Sequence, residues 1–535
     1  MRPTTRQILA AAGCLALVLT ACGAGDTATE AALDVTLQGA DDEAAEMPAA
    51  GGALDAGAEA DAAAPLVDED PAAPEGERGG IESVVFDDHG VAGWVDTGSD
   101  AVSTFRTDAT VGSYRVAESW LVNGVLPPAE GVRAEEWINA LDHGYPAPAG
   151  DEVWAVHADA GAPWWQTGPD APANTRLLRV GLRATDGVGE RPPASITFVI
   201  DVSGSMETDD RLDTVVEVLG RSLDRLDERD QVAIVTFHDD ARLELAHTSD
   251  YGQVRDVLAG LRPLNATNTG AGVVLGHETA AEGHREGDHS SVVVLADGMA
   301  NEGVTDPRQI VERLDEVGGP ARIVTHTVGI GREVYNDALL STLANESGGT
   351  YAYIDRSDQA DRLFDRDLPL LWPVAHDVKT QVTFEPSSVR AWRLIGYESR
   401  ALAAEDFRDD AVTGAYVGAG HAVTAIYELD LAVEGGTGGE LGQVQVRWAD
   451  PRSGDVSEME VPLPAALATE ESGSATFGQA AAMTALVEAL RGSPHALVNL
   501  QQVADQADGE LAALVEASRA AFQGAPAQRR EFVQP

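Results

Sequence analysis

The chain has 535 residues, enough for roughly two to four domains with cores of their own. Its hydrophobic content of 44% is that of a folded protein and excludes global disorder. The formal charge of -52 at pH 7 excludes a nucleic-acid backbone as partner, because that partner requires basic patches. Of the 36 Lys and Arg residues only Lys379 is a lysine, a bias that GC-rich codon usage or a saline habitat would each produce. The cysteines are Cys14 and Cys22; both lie near the N-terminus, so the body of the chain has to fold without disulfides.

At the N-terminus, Arg2 and Arg6 precede an apolar run from Ile8 to Leu19, too short for a comfortable membrane span. Leu19-Thr20-Ala21-Cys22 resembles a bacterial lipobox. The resemblance implies a signal peptide over 1–21, cleavage before Cys22 and lipidation of Cys22, with Cys14 discarded. An ordinary secretory signal with an accidental cysteine is the plainer alternative. No later stretch has 18 apolar residues in a row, so the expectation is anchoring rather than spanning. The folded part would then sit in the cell envelope of a bacterium, facing the periplasm or the exterior. Residues 22–80 are mostly Ala, Gly, Asp and Glu, with few large apolar residues and Arg78 as the only base. Such a stretch cannot offset the entropy of ordering and reads as an acidic tether, a coil spanning roughly 40 Å.

Folded sequence begins near Ile81. Tyr114–Val122 and Arg133–Leu141 have helical character, Trp137 and Leu141 forming an i,i+4 pair, with Pro127-Pro128 between them. Leu177–Ala184 alternates as a strand, so 81–190 is read as an N-terminal α+β module. Over 191–374 strands and helices alternate. Ile196–Ile200, Gln231–Phe237, Ser291–Leu295, Arg322–Val328 and Thr350–Ile354 are apolar, β-branched runs. Leu212–Leu226, Val254–Leu261, Gly270–Ala281, Pro307–Val317 and Asn336–Leu343 carry helical apolar spacing, as in the Val215, Val218, Leu219, Ser222, Leu223, Leu226 face. Continuous apolar strands separated by helices predict an α/β domain, its mostly parallel sheet covered on both faces. Val378–Phe384, Ala391–Tyr397, His421–Leu429 and Gly442–Trp448 predict a β-rich module over 375–468. Two Ala/Leu-rich helices split by Arg491-Gly492-Ser493-Pro494 form a helical tail over 469–525.

The stretch Val199-Ile200-Asp201-Val202-Ser203-Gly204-Ser205-Met206 sets one carboxylate and two hydroxyls at the end of a buried strand, where oxygens are costly unless satisfied. Asp297 ends a second buried strand, and Thr267 lies in a loop before a helix. Ligands collect at the carboxyl ends of such strands. Asp201, Ser203, Ser205, Thr267 and Asp297 make an all-oxygen set suited to a hard divalent cation. Mg²⁺ fits best, with Mn²⁺ or Ca²⁺ as further candidates. Neutral hydroxyls leave the ion with residual attraction for an anion, so an Asp or Glu of a protein partner could complete the coordination.

These segments, "DVSGSM", "NATNTGAG" and "LADG", resemble the metal-ion-dependent adhesion site of von Willebrand factor type A domains. The resemblance implies a Rossmann-like fold with Mg²⁺ at the top of the sheet, and Asp201, Ser203, Ser205, Thr267 and Asp297 match the five motif positions. In that family some of these, usually the carboxylates, act through bound water. Ala296 stands where Thr precedes Asp-Gly in many members. "SYRVAESWLVNGVLPP" at 113–128, "VRAEEWINALDHGYP" at 132–146 and "DVKTQVTFEPSSVRAWRLIGYESRALAAEDFRDD" at 377–410 resemble the flanking modules of bacterial YfbK-type lipoproteins, and the likeness runs from about 85 to 525.

Other chemistry fails on spacing. His277-Glu278 lacks the second His of a zinc protease, since that position is Ala281, and the pair is read as an exposed helix face. Ser203 lacks the glycines of a hydrolase elbow. Trp164-Trp165 is read as loop packing. With no placed general base or nucleophile, the expectation is a non-enzyme: a lipid-anchored protein-binding module for adhesion or envelope assembly. A structural scaffold with a non-exchanging metal is the alternative, ahead of a metal-assisted hydrolase. A channel component would need a membrane span after Cys22.

Overall fold

The computed structural model describes residues 84–534, apart from short stretches at 164–165, 168–173, 188, 265, 299–301, 318–322, 332–334, 369–370, 433–439, 470–473 and 531–532. The expected signal peptide, Cys22, the tether and Trp164-Trp165 lie outside the described residues.

The α/β part is a six-stranded sheet in the order Tyr351–Ile354, Ile323–Ile330, His289–Ala296, Ala194–Asp201, Gln231–Phe237, Ala241–Thr248. The first five strands are parallel, and Ala241–Thr248 closes the edge antiparallel. Every residue of Ala194–Asp201, His289–Ala296 and Gln231–Phe237 is buried, which is why those strands read as unbroken apolar runs. Successive side chains alternate between two cores. Phe198 and Ile200 pack with Val215, Val218 and Leu219 of helix Arg211–Ser222 and with Val254 and Leu258 of helix Tyr251–Gly260. Val199 faces the other way, toward Val273, Ile310 and Leu340 of helices Thr269–Gly283, Pro307–Val317 and Asp337–Glu346. Helix Thr269–Gly283 approaches closely because Gly276 has no side chain; a Cβ there would stand 2.4 Å from Val199 Cγ2. The edge strand Ala241–Thr248, exposed over Arg242–Glu244, has too little apolar content to stand out in the sequence.

Residues on either side of the α/β part build a pair of antiparallel sheets together. One runs Ala401–Leu402, Val102–Arg106, Pro373–Phe384, Glu440–Ala449, Val456–Pro464; the other runs Val95–Asp96, Val389–Ile395, Ala422–Leu431, Thr175–Ala184, Trp154–Gly161. Thr380 pairs with Phe105, and Tyr427 with Leu178. The two sheets share one core containing Phe105, Trp154, Leu178, Val382, Tyr427 and Val444. The two flanking segments therefore pair across the α/β part, which is inserted between their strands.

A helical layer completes the fold. Tyr114 and Leu121 of Gly112–Val122, Trp137 of Ala134–Asn139, Leu486 of Ala475–Leu490 and Leu514 of Gly509–Gly524 share a fourth apolar cluster. Between the last two helices the chain forms the short strand Ala496–Asn499 and the helix Leu500–Ala504. Charges join the layers. Arg133 bonds Asp337 (2.5 Å) and Glu136 (2.6 Å), and Arg400 bonds Asp108 (2.5 Å), Glu136 (2.9 Å) and Glu135. Burial alone would raise the Glu136 carboxyl, but Arg133 and Arg400 overcome it and hold it at about 2.

Candidate functional site

Asp201 is the last residue of its strand and fully buried. Its Oδ1 accepts the Ser203 backbone N–H at 2.7 Å, and its Oδ2 is buried and makes no hydrogen bond. The Ser203 and Ser205 hydroxyls lie 3.0 Å apart. Ser203 stands at the N-cap of the short Gly204–Asp210 segment, yet its side chain makes no capping bond. Capping therefore does not account for these hydroxyls.

Asp297 follows strand His289–Ala296, the direct parallel neighbour of Ala194–Asp201. Its carboxylate is buried and accepts from Arg211 Nη1 at 2.9 Å through Oδ2. Burial first, and then the negative charge of Asp297, push the Asp201 carboxyl up to about 7. The register puts both acids at the same end of the sheet, the end where ligands collect in folds of this kind.

Thr267 is buried in a loop tied to that end on two sides. Leu264 N donates to Val202 O (2.6 Å), Asn268 N donates to His238 O (2.6 Å), and Glu302 N donates to Thr267 O (3.1 Å). Asn268 takes the capping role for helix Thr269–Gly283, accepting from Ala271 N at 3.1 Å. The loops carrying all five sequence-predicted residues are thus laced together at one edge. Arg211 was missed by sequence reasoning, although it is the only base between 201 and 220 and opens a helix directly after an acidic turn.

The donor set fits a hard divalent cation. A buried carboxylate oxygen without a hydrogen bond is a costly arrangement, and the buried Thr269 Oγ1 nearby in sequence is likewise without one. Among the described residues no three His, Cys, Asp or Glu groups gather as a metal site. His277 corrects one expectation. It is buried rather than exposed, its Nε2 lying 2.5 Å from Thr325 Oγ1; Glu278 alone is exposed. The helix spacing placed His277 toward the sheet, and one polar contact made that burial tolerable.

Residues 195–366 match the von Willebrand factor type A domain family, residues 370–525 the family described as "Uncharacterized protein YfbK, C-terminal", and residues 82–169 the family described as "von Willebrand factor". The chain is 31% identical over 452 residues to "Uncharacterized protein YfbK" of Escherichia coli (strain K12), covering 79% of this chain and 77% of that protein. It is 31% identical over 205 residues to the human inter-alpha-trypsin inhibitor heavy chain H4, covering 36% of this chain and 21% of that protein. The solved von Willebrand factor type A structure from Catenulispora acidiphila has 17% sequence identity and a TM-score of 0.41, over 71% of this chain and 88% of that one. The α/β sheet, the strand-end oxygens and the near full-length likeness converge: the chain belongs to the YfbK-like family of von Willebrand factor type A proteins.

Proposed function

We propose that this is a non-catalytic binding protein that holds a divalent cation, Mg²⁺ first and Mn²⁺ or Ca²⁺ next, at Asp201, Ser203, Ser205, Thr267 and Asp297. Through that ion it takes an Asp or Glu of a protein partner. The observation that carries the reading is the buried Asp201 Oδ2 without a hydrogen bond, at the same sheet edge as a second buried carboxylate. A bound ion would supply the missing positive charge and an open position for an outside carboxylate. The lipobox-like Leu19-Thr20-Ala21-Cys22 supports a lipid anchor at Cys22 and a place in the bacterial envelope, facing away from the cytoplasm. Among the described residues no helix is long and apolar enough to cross a membrane.

Calorimetric titration tests the site. Wild type should bind Mg²⁺ or Mn²⁺, and Asp201→Ala should abolish the signal while the far-ultraviolet circular dichroism stays unchanged. Equal binding by the two proteins would sink the assignment.

A further inference from the structure

Arg211 sits inside the oxygen constellation although it cannot ligate a cation. It opens helix Arg211–Ser222, is only 3% exposed, and grips Asp297 Oδ2 at 2.9 Å. Its position is built by unusual backbone. Asp209 and Asp210, directly before it, both stand in the left-handed region at φ 52° and 54°, which aspartate enters more readily than most residues but as single positions rather than in succession. Across from it Gly331 has φ 104°, and a Cβ there would lie 2.5 Å from Arg211 Nε. That Nε is buried and makes no hydrogen bond, so the guanidinium is not locked on that side. Beside it opens a cavity of about 350 Å³ lined by Asp209, Asp210, Arg211, Thr214, Gly331 and Asp355 among others. Of the carboxylates around that space, Asp209 and Asp210 are exposed to solvent and Asp355 is engaged by Ser119, Gln359 and Arg356, so the charge of Arg211 stays with the strand-end site.

We propose that Arg211 is a resident counter-cation, which competes with the divalent ion for Asp297 and leaves the loaded site with one positive charge in excess for a partner's carboxylate. This rests on the cation reading of the site given above. Two buried carboxylates left without any cation repel each other and are costly; Arg211 relieves one of them in the metal-free protein. When the ion binds, Asp201 and Asp297 balance its two charges and Arg211 supplies the surplus. An outside Asp or Glu then neutralises the whole set. Without Arg211 the loaded site is already neutral and has no electrostatic demand for a further anion. Arg211 is thus a positioning and charge-setting residue, one that makes ion binding weaker and anion capture stronger.

The test titrates Mn²⁺ into the full chain, with sodium acetate as the carboxylate probe, reading heat and the Mn²⁺ paramagnetic resonance signal. Arg211→Met should bind Mn²⁺ about tenfold more tightly than wild type, and Arg211→Lys should fall between them. Acetate should tighten Mn²⁺ binding by wild type and leave Arg211→Met unaffected. In EDTA, Arg211→Met should melt below wild type and recover when Mn²⁺ is added. If Arg211→Met does not fold, Arg211→Lys must still bind Mn²⁺ at least threefold more tightly than wild type. Wild-type binding with unchanged or weaker binding by the folded variants overturns the role of Arg211 alone. Failure of wild type to bind Mn²⁺ better than Asp201→Ala overturns the cation reading, and this role with it.

Discussion

Two of the regions that bury carboxylates beside arginines differ in what they leave over. At the junction of the helical layer, the sheets and the α/β part, Asp108, Glu135, Glu136 and Asp337 meet Arg133 and Arg400, and every carboxylate oxygen there has a donor. Glu136 takes Arg133, Arg400 and the Ser113 N–H; Asp337 takes Arg133 and the Tyr351 hydroxyl; Glu135 takes Arg400 and the Tyr397 N–H; Asp108 takes Arg400 and the Thr110 N–H. At the strand ends, Asp201 keeps one oxygen with no hydrogen bond. Burial of charge is therefore not the mark of a binding site. The closed set of bonds holds layers together, while the unbonded oxygen of Asp201 stands at the end of the sheet where ligands collect.

The comparison breaks first where the closed set is cut. Arg400→Ala would leave Asp108, Glu135 and Glu136 without their shared partner, and breaking a buried pair from one side costs about 3–5 kcal/mol. Denaturant unfolding should show a loss of that size, the same in Mg²⁺ and in EDTA; a loss that Mg²⁺ rescues would mean the two regions are not separate in kind. The open set should respond in the opposite direction. At pH well above 7, where the Asp201 carboxyl is ionised, Asp201→Asn removes an unrelieved buried charge, so in EDTA the variant should be more stable than wild type by about 1–3 kcal/mol. It should also lose the Mg²⁺-induced rise in melting temperature. A destabilised Asp201→Asn would place Asp201 among the structural carboxylates.

The smallest effect concerns pH and separates the closed set from the histidines. Burial lowers His289 to about 4 and His326 to about 3, against about 6.5 in an unfolded chain. Below 6.5 the unfolded state binds more protons than the native one, so this stability is complete above pH 6.5 and is lost as pH falls toward 4. Glu136, held at about 2, contributes stability that is present above its unfolded value of about 4.5 and lost as pH falls from there through 2. In the Asp201→Asn background, which removes the opposing titration of Asp201 near 7, melting temperature should therefore decline between pH 6.5 and 5 through the histidines, not through Glu136. His289→Phe, which keeps the ring stacked at 5.4 Å on Tyr416, should flatten that decline; an unaltered slope would assign it elsewhere.

The α/β part was legible because its signals are local. Gln231–Phe237 and Pro307–Val317 fall where their sequence pattern puts them, and Asp201, Ser203 and Ser205 announce themselves within a few residues at a strand end. The cross-pairing of the flanks was not legible. Nothing in Val102–Arg106 names Pro373–Phe384 as its neighbour, since a strand's alternation specifies a face and not a partner. Val456–Pro464 and Trp154–Gly161 escaped for a related reason: their exposed or half-buried positions carry charge and small residues that blur the period. Arg211 escaped because an arginine in a helix's first turn is ordinarily solvated, and only the turn through Asp209 and Asp210 directs it inward.

The insertion also sets an order of events as the chain emerges. The Tyr427 hydroxyl bonds Ser103 across 324 residues, and Val102–Arg106 has to wait for Pro373–Phe384 before it can pair. The α/β part, flanked by its own helices and strands, has all its neighbours much sooner. Pairing that closes so long a loop is slow and leaves strand edges bare meanwhile. A chain cut short before Pro373–Phe384 would therefore carry a complete α/β part alongside unpaired early strands, and those edges, rather than the cation site, would decide whether it stays in solution.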